Sequence, residues 1–175
     1  MIKTGWQNPW VRAVTTILTI VVMIMIFCFS METAEQSDQT SGSISREVVK
    51  IVHPDYDRLE PVRQKSIFDT IQHIVRKCAH FTEYMILGFS IRLCLESWFG
   101  HKTVKDRTLA IISSASAILY ACTDEIHQLS IDGRSGQWTD VLVDSSGVFI
   151  GVILSTLLIK ALNGKMQTKK ANEER

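Results

Sequence analysis

Between Ala13 and Ser30 the chain carries no charged side chain and is dominated by Ile, Val, Met and Phe. A helix over such a run approaches the ~20 residues that cross a ~30 Å hydrocarbon core. Its apolar stretch exceeds the roughly 7–15 residues of a signal-peptide core, and no small-x-small cleavage site follows, so it reads as an uncleaved first span. Thr108–Thr123 and Ser145–Ile159 are two further uncharged runs. Ala79–Phe99 completes a set of four, although it contains Glu83, Arg92 and Glu96. Charges at mid-span cost roughly 2.5–3.5 kcal/mol each on insertion scales. Arg92 and Glu96 are one helical turn apart, a spacing at which they pair. The expected fold is therefore an all-α membrane protein, a bundle of four transmembrane helices.

The charges give an orientation. Lys3 and Arg12 precede the first span, His101, Lys102, Lys105 and Arg107 fill the short link between spans two and three, and Lys160, Lys165, Lys169, Lys170 and Arg175 follow the fourth. Positive residues collect on the cytoplasmic side, so both termini are expected there. Across the whole chain, 19 Lys and Arg face 18 Asp and Glu, a balance that argues against a polyanionic partner; no nucleic-acid motif is visible. Cys28, Cys78, Cys94 and Cys122 have no CxxC or zinc spacing and read as small hydrophobes.

Four regions follow: a tail and first span over 1–30, an extracytoplasmic segment over 31–75, a three-helix region over 76–162, and a charged cytoplasmic tail over 163–175. Within the second region, Met31–Ser45 is rich in Ser, Thr, Gln and Glu and reads as a mobile linker. Apolar residues then return at helical spacing, Val48, Val49, Ile51 and Val52, and after Pro61 Ile67, Ile71, Ile74 and Val75. These predict amphipathic helices on the outer membrane surface or over the bundle.

Opposing helix directions bring polar residues to a common level. Lys77, His80, Glu83 and Tyr84 lie in the outer turns of span two, Asp124, Glu125, His127 and Gln128 at the outer end of span three, and Asp140 and Asp144 in the first turns of span four, with Arg134 in the loop between. Glu83 and Asp144 run directly into lipid-compatible sequence, and acids at that depth face a bundle interior and pair with cations. Span four also carries Gly147, Gly151 and Ser155 at intervals of four, and span three a run of small residues from Ser113 to Ala117, both suited to close helix approach.

KCAHFTEYMILG at Lys77–Gly88, TDEIHQ at Thr123–Gln128, Arg134, and DVLVDSSGVFIG at Asp140–Gly151 together resemble the VanZ-like family of bacterial membrane proteins, in order and spacing from about Arg76 to Leu158. At the position of Asp144 the family pattern admits Asn or Asp. The resemblance implies an envelope protein linked to low-level resistance to teicoplanin-type glycopeptides.

Three mechanisms fit these residues. The first is binding or shielding: Lys77, Arg134 and His80 contact phosphate of a headgroup or lipid-linked cell-wall precursor, or the cluster meets a lipoglycopeptide. The second is a membrane enzyme. His80-x-x-Glu83 and Asp124-x-x-His127 are candidate ligands for a divalent metal, or His80 is a metal-free general base beside Glu83 or Asp124. The third is an ion or proton pathway, which needs ionisable residues through the full depth, where only Arg92 and Glu96 continue inward. No cofactor is called for by any motif, and nothing in the sequence fixes the oligomeric state.

Overall fold

The computed structural model describes residues 5–131, 133 and 138–173. Regular structure among them is helical: α1 Pro9–Ser30, α2 Ala34–Val52, α3 Pro61–Thr103, α4 Asp106–Gln128 and α5 Trp138–Glu173, with short 3-10 turns at Gly5–Gln7 and Tyr56–Arg58. α1, α4 and the Trp138–Lys165 part of α5 are long and apolar enough to cross a membrane. Their burial pattern is inverted relative to a soluble protein. Ile17, Ile24, Leu119, Ile126, Ile153 and Leu157 are exposed, while Ser113, Ala117, Ala121 and Ser155 are buried. Large apolar side chains outside and small ones between helices suit a hydrocarbon surround, where close backbone packing replaces hydrophobic burial as the force that holds helices together.

α1 starts at Asn8, whose side chain accepts the Trp10 backbone N–H at 2.9 Å, with Pro9 in the first turn. That is a standard helix start, since Pro lacks the N–H that would be unpaired there. Arg12 then fixes α1 to α3. Its Nε donates to the Ser97 carbonyl at 3.0 Å and its guanidinium lies 5.2 Å from the Trp98 ring centroid. Thr15 and Ser97 hydroxyls bond at 2.9 Å one turn further on.

The stretch expected as a mobile linker is helical from Ala34. Thr33 and Gln36 form a reciprocal capping box, Thr33 N–H to Gln36 Oε1 at 3.0 Å and Gln36 N–H to Thr33 Oγ1 at 3.3 Å, which satisfies backbone donors at the first turn. The Ser41 and Ser45 hydroxyls bond back to the Ser37 and Ser41 carbonyls at 2.8 Å each. Gly42, Ser45 and Val49 are the buried residues of α2, which packs on α3. Gln72 of α3 donates to the Asp38 carbonyl at 3.0 Å, and Arg76 pairs with Asp38 at 3.4 Å. A polar composition alone thus misread a helix that is capped at its start and held on α3 by side-chain hydrogen bonds.

α3 merges the expected amphipathic segment after Pro61 with the expected span over Ala79–Phe99. The part before Gly100 extends about 60 Å at 1.5 Å per residue. The helix breaks at Gly100, where φ is 52°, a left-handed conformation that glycine adopts without a Cβ clash. α3 is the central element, packed on α1, α2, α4 and above all α5. The core of Val22, Ile26, Tyr84, Leu87, Ala117, Ala121, Val148 and Val152 draws on four helices.

The α3–α5 contact is backbone against backbone. A methyl group on Gly88 would come within 2.6 Å of the Val148 carbonyl oxygen, and Cβ atoms on Gly147 and Gly151 would overlap the carbonyls of Phe81 and Met85. The small stripe of α5 therefore meets α3, the second long helix of the expected bundle, while Ser155 is fully buried with its hydroxyl on the Gly151 carbonyl at 3.0 Å.

At the end of the bundle where α3 passes into α4, Arg92 has no exposed surface. It donates to Glu96 at 2.9 Å and to Asp106 at the start of α4, and Lys160 of α5 reaches Asp106 at 3.5 Å. The expected Arg92–Glu96 pair thus forms and is extended across three helices. Internal neutralisation lets α3 carry these charges inside the bundle.

Candidate functional site

The other end of the bundle collects the remaining buried charges. Three helix segments converge there: the middle of α3, the last turn of α4 and the first turns of α5. Their register follows from the α3–α5 glycine contact, which places Asp144 and Asp140, one and two turns before Gly147, beside His80 and Lys77. Lys77 Nζ pairs with Asp140, whose Oδ1 also accepts the Thr139 hydroxyl at 3.2 Å. Burial pushes the Lys77 ammonium below the ordinary lysine pKa, opposed by Glu125 and Asp144 and reinforced by Arg76.

Asp144 is the deepest acid of the group. It has no exposed surface, and neither carboxylate oxygen has a hydrogen bond among the described residues. His80 of α3 brings its Nδ1 to 3.8 Å from Oδ1. Glu125, Asp124, Glu83 and Lys77 surround it electrostatically. Tyr84, also without exposed surface, places its hydroxyl beside Asp124 and Asp144. Asp124 accepts from Gln128 Nε2 at 3.1 Å, and both residues are buried, as is Glu125.

His127 lies apart from this group. Its ring stacks on Phe27 of α1 with centroids 5.2 Å apart and planes at 29°. The four candidate metal ligands His80, Glu83, Asp124 and His127 do not gather into one set, and among the described residues no three His, Cys, Asp or Glu side chains form a metal-holding group. Arg134 lies outside the described residues.

Beside the cluster, α1, α2, α3 and α4 enclose a cavity of about 210 Å³. Its polar wall carries His80, Glu83 and Asp124 together with Arg76, Gln128, Ser30 and the hydroxyls of Ser37, Thr40 and Ser41; its apolar wall is Ile26, Phe29, Ile44, Val75 and Ala79. Arg76, Ser30 and the α2 hydroxyls were not among the candidates read from sequence. The signal that finds the α2 residues is the capping box at Thr33 and Gln36. Once the stretch is helical, Ser37, Ser41 and Ile44 lie at spacings of four and three on one face.

The arrangement offers two kinds of chemistry. Opposite charges and hydroxyls around a partly apolar cavity can hold an amphiphilic polar group. A histidine that lines the cavity and has a buried carboxylate behind its Nδ1 is also the geometry of an oriented base.

No curated protein and no solved structure matches the chain significantly. The sequence profile of the VanZ/LLP1 family matches residues 15–159, which takes in α1 to α5 and every residue of the cluster. The chain belongs to the VanZ/LLP1 family.

Proposed function

We propose that this VanZ/LLP1-family protein crosses the bacterial cytoplasmic membrane four times, termini inward, and uses the cluster at its outer end to bind or shield an envelope component. α3 is the fourth crossing. Its central place in the bundle and the neutralised Arg92, Glu96 and Asp106 support that reading. The basic segments before α1, between α3 and α4 and late in α5 support the orientation. The component is a lipid-linked cell-wall precursor or a glycopeptide bound to one, so that the activity is low-level protection against teicoplanin-type drugs.

One observation carries the proposal: Asp144 is fully buried at the meeting point of three helices, against His80, beside a cavity that opens at the same level. A carboxyl group kept there without hydrogen bonds opposes stability, and such an arrangement is found where it serves a site. The test is drug susceptibility of cells expressing the wild type, His80→Ala, Glu83→Gln or Asp124→Asn, with membrane abundance measured. Protection lost at normal abundance supports the reading. Protection unchanged in all three variants removes it.

The His80–Asp144 pair favours a second reading, a hydrolase or transferase acting on the same lipid-linked precursors, with His80 as general base. Turnover of labelled wall lipid by the purified protein, lost in His80→Ala, distinguishes it from binding. Binding without product excludes it.

A further inference from the structure

The cavity separates its charges. Arg76, at the α2 side, is held by Asp38 of α2 at 3.4 Å, with both side chains partly exposed. Asp124, 5% exposed, lies on the α4 wall, and Glu83 adds a second carboxylate from α3. A ligand that satisfies this wall carries a negative group for Arg76 and a positive group for Asp124.

Ser30 makes the independent case for an occupant. Serines inside these helices bond back to a carbonyl one turn earlier, as Ser41, Ser45, Ser113 and Ser155 do. Ser30 is 3% exposed and lines the cavity, yet its hydroxyl has no hydrogen-bond partner among the described residues. A buried hydroxyl left unmatched is destabilising, and a polar group in the cavity relieves it.

The remaining wall says where the ligand comes from. Phe29 and Ile44 line the cavity and are 42% and 58% exposed, so its rim is apolar and open to the surroundings at the level where the apolar run of α1 ends. A cavity that is apolar on one side and charged on the other, at the end of a membrane helix, matches the boundary between acyl chain and headgroup. Its volume of about 210 Å³ accommodates a small headgroup.

We propose that this cavity binds the headgroup of a membrane phospholipid that bears a primary amine beside its phosphate, the phosphate on Arg76 and the ammonium on Asp124, with Ser30 donating to a headgroup oxygen. This rests on the reading of the polar end as a binding site and gives the cavity beside it a membrane phospholipid of its own, in addition to the envelope component. α2 supplies the lid of the pocket, so the segment between the first two long helices is part of the site.

The test uses the full chain in nanodiscs of phosphatidylglycerol alone or mixed with phosphatidylethanolamine, followed by native mass spectrometry of the lipids retained. Retention of one phosphatidylethanolamine per chain against an excess of phosphatidylglycerol is expected. Arg76→Gln and Asp124→Asn lower that retention about tenfold or more, Arg76→Lys restores part of it, and Glu47→Gln on the exposed face of α2 leaves it unchanged. Thermal midpoints of each variant separate loss of binding from loss of fold. Equal retention of the two lipids overturns the amine assignment, and absence of both overturns the cavity as a lipid site. Displacement by soluble phosphoethanolamine at equal concentration overturns the membrane source. Drug protection lost in His80→Ala with no lipid preference sinks only this proposal, whereas lipid preference without any effect on protection sinks only the resistance reading.

Discussion

Asp144 of α5 and His80 of α3 face each other at 3.8 Å, the carboxylate fully buried and the imidazole lining the cavity. The pair is weak as a structural bond, because the distance is beyond a hydrogen bond and the carboxylate has no other hydrogen bond among the described residues. Its presence is a cost to folding that the site carries.

Asp144→Asn is therefore expected to leave the fold intact or to stabilise it by on the order of 1 kcal/mol, because the amide keeps the shape and the polar burial but has no charge to desolvate. Drug protection in cells is expected to fall to the level of the empty vector. Thermal unfolding in detergent and susceptibility at matched abundance measure the two effects. A lower midpoint would mark Asp144 as a structural residue instead.

The glycine contact between α3 and α5 predicts a graded response. Gly151→Ala and Gly147→Ala drive a methyl into the carbonyls of Met85 and Phe81 and force the helices apart; destabilisation of about 1–3 kcal/mol is expected for each. Gly164→Ala meets nothing within 4 Å and is expected to change stability by no more than about 1 kcal/mol, in the favourable direction for a helical position. Because the same contact sets the rotation of α5, Gly151→Ala is also expected to reduce protection more than its loss of stability explains. Unfolding midpoints and susceptibility on the same membranes check both.

α1, α4 and α5 were legible in the sequence because a membrane helix needs only a long uncharged run, and Thr108–Thr123 or Ser145–Ile159 states that directly. α3 was legible in part. Its charges depressed the signal, and the compensation between Arg92 and Asp106 depends on a contact between helices that spacing along one helix does not reveal. α2 was misread because Ser, Thr and Gln are common to disordered chains and to helices held by caps and side-chain hydrogen bonds. Within the site, helix direction was enough to expect Lys77 and Asp140, 63 positions apart, at one level. It was not enough to expect Asp144 3.8 Å from His80, an approach that arises because the glycine stripe turns that face of α5 onto α3.

The buried network at the opposite end gives a prediction about stability alone. Arg92→Ala leaves Glu96 and Asp106 as uncompensated acids in the bundle and is expected to cost about 3–5 kcal/mol, enough to lower membrane abundance. The double variant Arg92→Leu with Glu96→Leu removes both charges of the fully buried pair and is expected to recover most of that loss. Asp106 is partly exposed and also held by Lys160, so Asp106→Asn is expected to cost less than Arg92→Ala. Abundance and unfolding midpoints of the three variants order these effects. A double variant no better than Arg92→Ala would show that Arg92 acts through its packing and not its charge.

The two ends of the bundle must also lie on opposite sides of the lipid if α3 crosses it. Glu47 on α2 and Thr139 at the start of α5 belong to the end with Asp144, while Lys105 before α4 belongs to the end with Arg92; all three are exposed. In a background with Cys28, Cys78, Cys94 and Cys122 replaced by Ser or Ala, single variants Glu47→Cys and Thr139→Cys are expected to react with an impermeant maleimide in intact spheroplasts. Lys105→Cys is expected to react only after permeabilisation. The expectation follows from helix order, because α3, α4 and α5 alternate in direction and bring the middle of α3, the end of α4 and the start of α5 to the charged cluster. Lys105→Cys reacting in sealed cells together with Thr139→Cys would place both ends of α4 on one side, and the basic segments would then no longer mark the cytoplasmic face.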